Sequence, residues 1–176
     1  MHQFLVRYST KKSIYLGLLF IIFINLVAFP LFPKLFFDSS IPIGDILDTQ
    51  FGFSVEYAQE LLNALGDNGR KAYLFSTVFI DIPYALVYGF IYSFILIELI
   101  QKKNITKYNV IIYIPFLIAI FDCFENAGII LLLNYFPDNC DLTIQLTSMA
   151  NQLKWIFAVL TVLLIFIIIL QKKHTK

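Results

Sequence analysis

Four long apolar segments constrain this chain more than any other feature. They run over Ser13–Phe32, Tyr73–Leu99, Tyr108–Asn134 and Ile144–Leu170. A hydrocarbon core of ~30 Å needs about 20 helical residues, and backbone groups in lipid must be hydrogen-bonded within their own segment. We therefore predict an all-α polytopic membrane protein, a four-transmembrane-helix bundle that forms a single domain over residues 1–176.

The composition agrees with a protein that is embedded in lipid. Hydrophobic residues make up 59% of the chain and charged residues 14%, against roughly 45–50% and about 25% in soluble domains. A surface with so few charges would not stay dispersed in water, which excludes soluble globular and disordered proteins. The net charge of +1 gives no reason to expect nucleic acid as a partner. Membrane lipids are the expected partners, with a second copy of the chain or another membrane protein as further candidates.

The first segment has features of a secretory signal peptide, since Arg7, Lys11 and Lys12 precede it. Its apolar run is longer than a signal peptide needs, and Ala28–Pro33 does not resemble a cleavage site. We therefore expect this segment to remain in the mature protein as the first span.

Basic residues are unevenly divided among the connections, which predicts the orientation of the chain. The N-terminal arm, the connection between the second and third segments and the C-terminal tail are basic. The connection Tyr135–Thr143 has no basic residue, and Pro33–Gly69 is mostly acidic. Both termini are therefore expected in the cytoplasm, with the protein in the inner (cytoplasmic) membrane. The basic residues are Arg7, Lys11, Lys12, Lys102, Lys103, Lys107, Lys172, Lys173 and Lys176.

The first outer connection contains a predicted amphipathic helix. Ser54 can cap a helix over Val55–Leu65, and Gly66 can end it. Its apolar residues recur at helical spacing, so the helix is expected on the membrane surface or across the mouth of the bundle. The residues before it, Asp45–Asp48 and Phe51–Phe53, are interpreted as a solvated entry to this helix rather than as a partner-binding loop.

Polar residues inside the predicted spans are the candidate functional residues. Each charged side chain there costs roughly 2.5–3.5 kcal/mol on insertion scales, so each one needs a partner or a function. At ~1.5 Å per residue, these side chains lie ~10 to ~18 Å from the outer ends of their helices. All four helices thus place polar groups in one layer between the outer edge and the midplane. The residues are Asn25, Asp81, Asp122, Glu125, Asn126, Asn151 and Lys154.

Helical spacing also gathers these residues on single faces of their helices. The stripe on the second span comprises Arg70, Tyr73, Thr77, Asp81, Tyr84, Tyr88 and Tyr92. The third span contributes Ala119, Asp122, Glu125 and Asn126, and the fourth contributes Thr147, Asn151, Lys154, Ala158 and Thr161.

Two prolines are expected to bend their helices. Pro83 removes the backbone bond that would reach the carbonyl of Phe79, close to Asp81. Pro115 is expected to act in the same way lower in the third span.

The histidines and cysteines limit the chemistry of the site. His2 and His174 lie in the terminal arms, which excludes a bis-His haem or a His-ligated zinc ion within the membrane. Cys123 and Cys140 form no C-x-x-C pair, which excludes a quinone-coupled disulfide oxidase. No metal or other cofactor is predicted; an all-carboxylate Mg²⁺ or Mn²⁺ site from the intramembrane acidic residues is the alternative.

Four functions fit this polar layer. In the first, an outward-opening pocket binds a lipid or another amphiphile, with Arg70 attracting an anionic group at the mouth and Lys154 holding charge inside. In the second, the protein is a membrane-embedded enzyme that acts on a lipid-like substrate with Asp81, Asp122 and Glu125 as acid/base residues. In the third, it is a structural or accessory subunit of a membrane complex, and in the fourth it conducts protons or ions. The predicted ligand-binding residues are Arg70, Tyr84, Tyr88, Asn126, Asn151 and Lys154.

Four short patterns carry a resemblance to a known family. They are L-G-x-x-G-R-x-x-Y at Leu65–Tyr73, D-x-P at Asp81–Pro83, D-x-x-E-N at Asp122–Asn126 and N-x-x-K at Asn151–Lys154. Together, from Ser54 onward, they resemble an uncharacterised family of four-span bacterial integral membrane proteins. Because that family carries no stated activity, the resemblance implies the fold alone.

Overall fold

Helices make up most of the chain that the computed structural model describes, which comprises residues 1–37, 46–105, 110–138 and 141–171. Within those residues there is no β-strand. The α-helices are α1 (His2–Tyr8), α2 (Lys11–Phe23), α3 (Phe29–Phe37), α4 (Val55–Ser76), α5 (Ile82–Lys103), α6 (Ile114–Tyr135) and α7 (Asp141–Leu170).

Four helical runs are long and apolar enough to cross a membrane, which confirms the predicted all-α four-helix bundle. We call them spans 1 to 4, and they cover Lys11–Phe32, Val55–Lys103, Ile111–Tyr135 and Asp141–Leu170. The first helical run continues five residues beyond the predicted end, to Phe37. The predicted start of the third span, Tyr108, lies outside the described residues.

Spans 1 and 2 are each interrupted by a π-helical segment that ends just before a proline. Ile24–Ala28 precedes Pro30, and Thr77–Asp81 precedes Pro83. Proline has no N–H, and its ring crowds the carbonyl four residues earlier. The turn before the proline is widened. The N–H of the residue that precedes the proline, Phe29 or Ile82, bonds to the carbonyl five residues earlier, that of Ile24 or Thr77. Beside Asp81, where the sequence predicts a bend, span 2 has a widened turn.

Pro115 does not bend a helix, so that prediction is wrong. It is the second residue of α6, which follows a 3-10 turn at Ile111–Tyr113. Proline is tolerated there because the first N–H groups of a helix have no intrahelical partner in any case.

The helix predicted at Val55–Leu65 is present with its predicted ends. The Ser54 hydroxyl accepts a hydrogen bond from the Tyr57 N–H at 3.2 Å. Gly66 has φ of 60°, a value that glycine adopts without steric cost, and the chain changes direction there before it continues to Ser76. The apolar face of this first part of α4 packs against the ends of spans 3 and 4, through Ala58, Leu62, Ile129, Leu132 and Ile144.

The spans pack in chain order, span 1 against span 2, span 2 against span 3 and span 3 against span 4. Small residues allow close approach: Gly128 lies so near Thr147 that a Cβ added to it would be 2.0 Å from the threonine Oγ1. Spans 1 and 4 hardly touch within the described residues. The bundle is therefore open along one side.

The two ends of the bundle differ in what they carry. Leu5 of α1 packs with Ile100 and Ile168, so both termini approach the same end, here called the terminal end. At the opposite end Leu47 packs with Ile144, and we call this the loop end. An even number of spans requires this placement of the termini.

Candidate functional site

The centre of the site is a buried lysine surrounded by acceptors. The Lys154 Nζ lies 2.5 Å from Oε2 of Glu125 and 3.5 Å from Oδ1 of Asp122. It also donates to the backbone carbonyl of Asp48 at 3.1 Å. Lys154, Glu125 and Asp122 are each less than one tenth exposed. Because removing an ion from water costs several kcal/mol, such a cluster is tolerated only when its charges are paired and hydrogen-bonded.

Asn151 attaches the segment 46–53 to the charged cluster. Its side-chain Nδ2 donates to Oε1 of Glu125 at 2.8 Å, and its Oδ1 accepts from the Gly52 N–H at 2.6 Å. One turn earlier on α7, the Ser148 hydroxyl accepts from the Phe53 N–H at 2.8 Å. Both of these amides of the segment are thus bonded to side chains of span 4.

The segment 46–53 is not a solvated entry to α4, so that interpretation is wrong for these residues. Leu47 is fully buried, and the Asp48 carboxylate accepts from the hydroxyl of Tyr73 at 3.0 Å. Thr49 and Phe51 are the exposed residues of this segment, Phe51 with 67% of its surface accessible, as expected of loop residues. Asp45 lies outside the described residues.

Asp48 is the functional candidate that the sequence analysis missed. Burial raises the pKa of its carboxyl from 3.8 to about 6, although the Lys154 charge acts in the opposite direction. Its position in a loop explains the omission, because helical spacing assigns faces only to residues within helices. The available signal was its position directly after the hydrophobic pair Ile46-Leu47, a position that it shares with Asp45 on the other side of the pair.

A line of polar and aromatic side chains connects Asp122 to span 1. The Tyr88 hydroxyl donates to Oδ2 of Asp122 at 2.6 Å. The ring of Tyr84 packs edge-on against that of Tyr88, with centroids 5.2 Å apart. The Asn25 side chain then donates to the Tyr84 hydroxyl at 3.0 Å. The predicted layer is therefore joined in space from span 1 to span 4.

Two buried side chains in this layer have spare hydrogen-bonding capacity. Asp81 is 7% exposed, and its Oδ2 has no hydrogen-bond partner among the described residues. Asn126 is fully buried; its Nδ2 lies 3.5 Å from Oδ1 of Asp122, while its own Oδ1 has no partner in the same part of the chain. Unpaired buried polar atoms are rare in proteins, so they indicate where a ligand or an ion can bond.

A cavity of about 310 Å³ lies beside the cluster. Asp48, Asp81, Asp122 and Lys154 are its charged lining residues, and residues of all four spans form its walls. It lies along the open side of the bundle, with residues of span 1 and span 4 among its walls. The other lining residues are Asn25, Phe29, Ile46, Thr49, Tyr73, Ser76, Thr77, Tyr84, Tyr88, Tyr92, Ile118, Trp155, Ala158, Thr161 and Val162.

The predicted site residues fall into those that line the cavity and those that do not. The lining residues among them are Asp81, Tyr84, Tyr88, Asp122 and Lys154. Three more are fully buried outside the lining and support the lining residues through hydrogen bonds and ion pairs: Glu125, Asn126 and Asn151.

Arg70 is not brought to the cavity. Its guanidinium donates to the carbonyl of Leu62 at 2.9 Å and pairs with Asp67. The guanidinium carbon also lies 4.5 Å from the ring centroid of Phe136. These contacts join the turn at Gly66 to the end of span 3, so Arg70 belongs to the loop end and not to the cavity wall.

Among the described residues, no three His, Cys, Asp or Glu side chains are grouped so that they could hold a metal ion. The all-carboxylate Mg²⁺ or Mn²⁺ site stays an untested alternative.

No family model, curated protein or solved structure matches this chain. The patterns at Leu65–Tyr73, Asp81–Pro83, Asp122–Asn126 and Asn151–Lys154 remain a resemblance. What bears on function is therefore the geometry of the cavity.

Proposed function

We propose that the protein binds a membrane lipid or another amphiphile in the cavity beside Lys154. The observation that carries this proposal is that the cavity is lined both by a group of charged side chains and by aromatic and aliphatic ones. An amphiphile has the same two parts, a polar head and an apolar chain. The volume of about 310 Å³ lies at the lower end of the range of small-molecule sites, roughly 300–1,000 Å³.

The open side of the bundle gives an amphiphile a route from the lipid. Asn25 and Phe29 line the cavity from span 1, and Ala158 and Val162 line it from span 4. Val162 is 63% exposed on the outer surface of the bundle, so the cavity wall is continuous with the surface that faces lipid. An alkyl chain can therefore lie between the two spans while the head group reaches the charged lining residues.

A catalytic role on a lipid-like substrate is a second candidate, favoured by Asp81. Asp81 lines the cavity, and its Oδ2 has no hydrogen-bond partner among the described residues. Its carboxyl group is therefore available to accept a proton from a substrate or to donate one. Glu125 is bonded to Lys154 and Asn151 and does not line the cavity. In an enzyme, Glu125 would thus position Lys154, and Asp81 and Asp122 would be the acid/base pair.

Filling the cavity tests the binding proposal. Ala158→Phe places a ring in the cavity, so we expect co-purifying amphiphile to fall about tenfold or more, a loss of ~1.4 kcal/mol in affinity. Native mass spectrometry of protein purified in mild detergent measures it. Val159→Phe is the matched control, because Val159 is 57% exposed beside it. The proposal is wrong if wild-type protein carries no amphiphile, or if the Ala158→Phe protein carries the wild-type amount.

We also propose that the terminal end faces the cytoplasm of a cell with an inner membrane. The basic residues near that end and the acidic loop end support it through the positive-inside rule. Single cysteines can be introduced at two exposed positions, Lys12→Cys and Asn63→Cys, after both native cysteines are replaced by serine. A membrane-impermeant maleimide should label Asn63→Cys in intact cells and Lys12→Cys only after lysis. The reverse pattern would contradict the orientation.

A further inference from the structure

We infer that the head group bound in the cavity is cationic, an ammonium or a similar organic cation that pairs with Asp81 between aromatic side chains. This inference rests on the proposed amphiphile binding and adds the charge of the ligand. It differs from the sequence-based expectation, in which Arg70 attracts an anionic group.

The charges on the cavity wall favour a cation. Three carboxylates, those of Asp48, Asp81 and Asp122, line the cavity together with the ammonium of Lys154. That ammonium is 2.5 Å from Glu125, a carboxylate that does not line the cavity. The positive charge of Lys154 is thus already paired with a carboxylate outside the cavity wall. An anionic head would meet acidic groups, with no unmatched positive charge on the described cavity wall, whereas a cationic head would meet complementary charge.

Asp81 is the carboxylate that is available to the ligand. Both oxygens of Asp122 have partners, with Tyr88 at 2.6 Å and Lys154 at 3.5 Å. By contrast, Asp81 is more than nine-tenths buried, and its Oδ2 has no hydrogen-bond partner among the described residues. A buried carboxylate oxygen without a partner costs free energy, which the positive charge of a ligand placed beside it would recover.

The π-helical segments place the unpartnered oxygen where a ligand can reach it. Asp81 ends the widened turn of span 2, and Asn25 lies in the widened turn of span 1. Both residues line the cavity, from neighbouring spans. Widened turns of this kind are frequent at functional sites.

Aromatic rings next to Asp81 strengthen the preference for a cation. Tyr84, Tyr88 and Tyr92 follow Asp81 on the same face of span 2, with successive ring centroids 5.2 and 6.0 Å apart. On span 4, Trp155 already lies near a cation, with the Lys154 Nζ 5.5 Å from the centroid of a ring. The negative faces of such rings attract ammonium groups and repel anions.

Trp155 provides the test, because it is the only tryptophan of the chain and lines the cavity. Protein in nanodiscs of neutral lipid is titrated with amphiphiles that share one brominated alkyl chain and end in trimethylammonium, maltoside or sulfate. Bromine in the cavity quenches the tryptophan. We expect the trimethylammonium compound to quench saturably, with a half-saturation concentration about tenfold or more below that of the maltoside compound. The sulfate compound should bind no more tightly than the maltoside compound.

Asp81→Asn then isolates the charge, with little change in shape. We expect the affinity for the trimethylammonium compound to fall about tenfold and that for the maltoside compound to change less than about twofold. Retained maltoside binding shows that the variant is folded. If maltoside binding is lost, Asp48→Asn is measured in the same way, and it should weaken the binding of the trimethylammonium compound only.

Three results would overturn the inference in different ways. Equal binding of all three compounds, or tighter binding of the sulfate, overturns the cationic head but leaves amphiphile binding intact. Displacement of the trimethylammonium compound by Mg²⁺ alone at submillimolar concentration also overturns it, in favour of an inorganic ion. If none of the compounds quenches saturably, the proposed amphiphile binding itself fails.

Discussion

Lys154→Met is expected to destabilise the protein by about 3–5 kcal/mol, which is among the largest effects of any single substitution in this chain. The variant leaves Glu125, which is fully buried, without the ammonium at 2.5 Å. Asp122 loses the same ammonium at 3.5 Å, and the Asp48 carbonyl loses a donor. The free energy of unfolding, from SDS titration of detergent-solubilised protein followed by circular dichroism, measures the effect.

The double variant Glu125→Gln with Lys154→Met separates an unpaired charge from lost packing. The double variant removes the closest buried ion pair and leaves only Asp122, of the two acidic partners of Lys154, without the ammonium. We therefore expect it to recover about half of the lost stability. Lys71→Met is the matched control, because Lys71 is exposed and should change stability by less than about 0.5 kcal/mol. A Lys154→Met protein as stable as the control would show that the pair contributes nothing. A double variant no more stable than the single would show that packing, not charge, dominates.

The pair also bears on the structural alternative for this protein. If the double variant regains stability and still binds the trimethylammonium amphiphile, then Lys154 and Glu125 lock the helices while Asp81 binds the ligand. If it regains stability and loses binding, Lys154 positions the site. Either result separates the locking of the bundle from the function of the cavity.

The sequence predicts the spans and the faces of their polar residues because both depend on local periodicity. Glu125 and Asp122 are three residues apart on α6, and Asn151 and Lys154 are three apart on α7, so each pair shares a face wherever the helix lies. Charge complementarity then pairs them across spans 3 and 4.

Periodicity gives no information about residues outside helices or about exact helix ends. The segment 46–53 has no repeat, so the position of Asp48 beside Lys154 depends on a fold that brings distant parts of the chain together. The bend expected at Pro115 is absent because α6 begins at Ile114, six residues after the predicted start of the span at Tyr108. Pro30 carries the same signal as Pro83 and marks the widened turn that contains Asn25.

Asn151→Leu is expected to release the segment 46–53 from the bundle. The substitution removes the acceptor of the Gly52 N–H and the donor to Glu125, at 2.6 and 2.8 Å. It also removes an amide that lies 3.3 Å from the carbonyl of Leu47. A buried polar network that loses its shared member loses several bonds together. We expect amide hydrogen exchange at Gly52 and Phe53 to accelerate by about tenfold to a hundredfold, which corresponds to ~1.4–2.7 kcal/mol of lost protection. Gln145→Leu, an exposed position on the same helix, should leave these rates unchanged.

The pKa of Asp48 gives this prediction a pH dependence. The attached carboxyl has a pKa of about 6, against 3.8 for an ordinary one, so the attached segment holds its proton more tightly than a detached one. Attachment is therefore strongest below pH ~4 and weakens as the pH rises through about 6. Three neighbours also act on this pKa. The Lys154 charge and the Tyr73 hydroxyl lower it and the Asp122 charge raises it, but burial has the largest effect.

Hydrogen exchange at two pH values measures this dependence. In wild-type protein the opening equilibrium at Gly52, corrected for intrinsic exchange rates, should be less favourable at about pH 5 than at about pH 7.5. In Asn151→Leu the difference should disappear, because the carboxyl of a detached Asp48 has its ordinary pKa whether the segment is closed or open to exchange. A wild-type protein with equal protection at the two pH values would contradict the raised pKa of Asp48. An Asn151→Leu protein with wild-type exchange would show that the contacts of Ser148, Lys154 and Tyr73 hold the segment without Asn151.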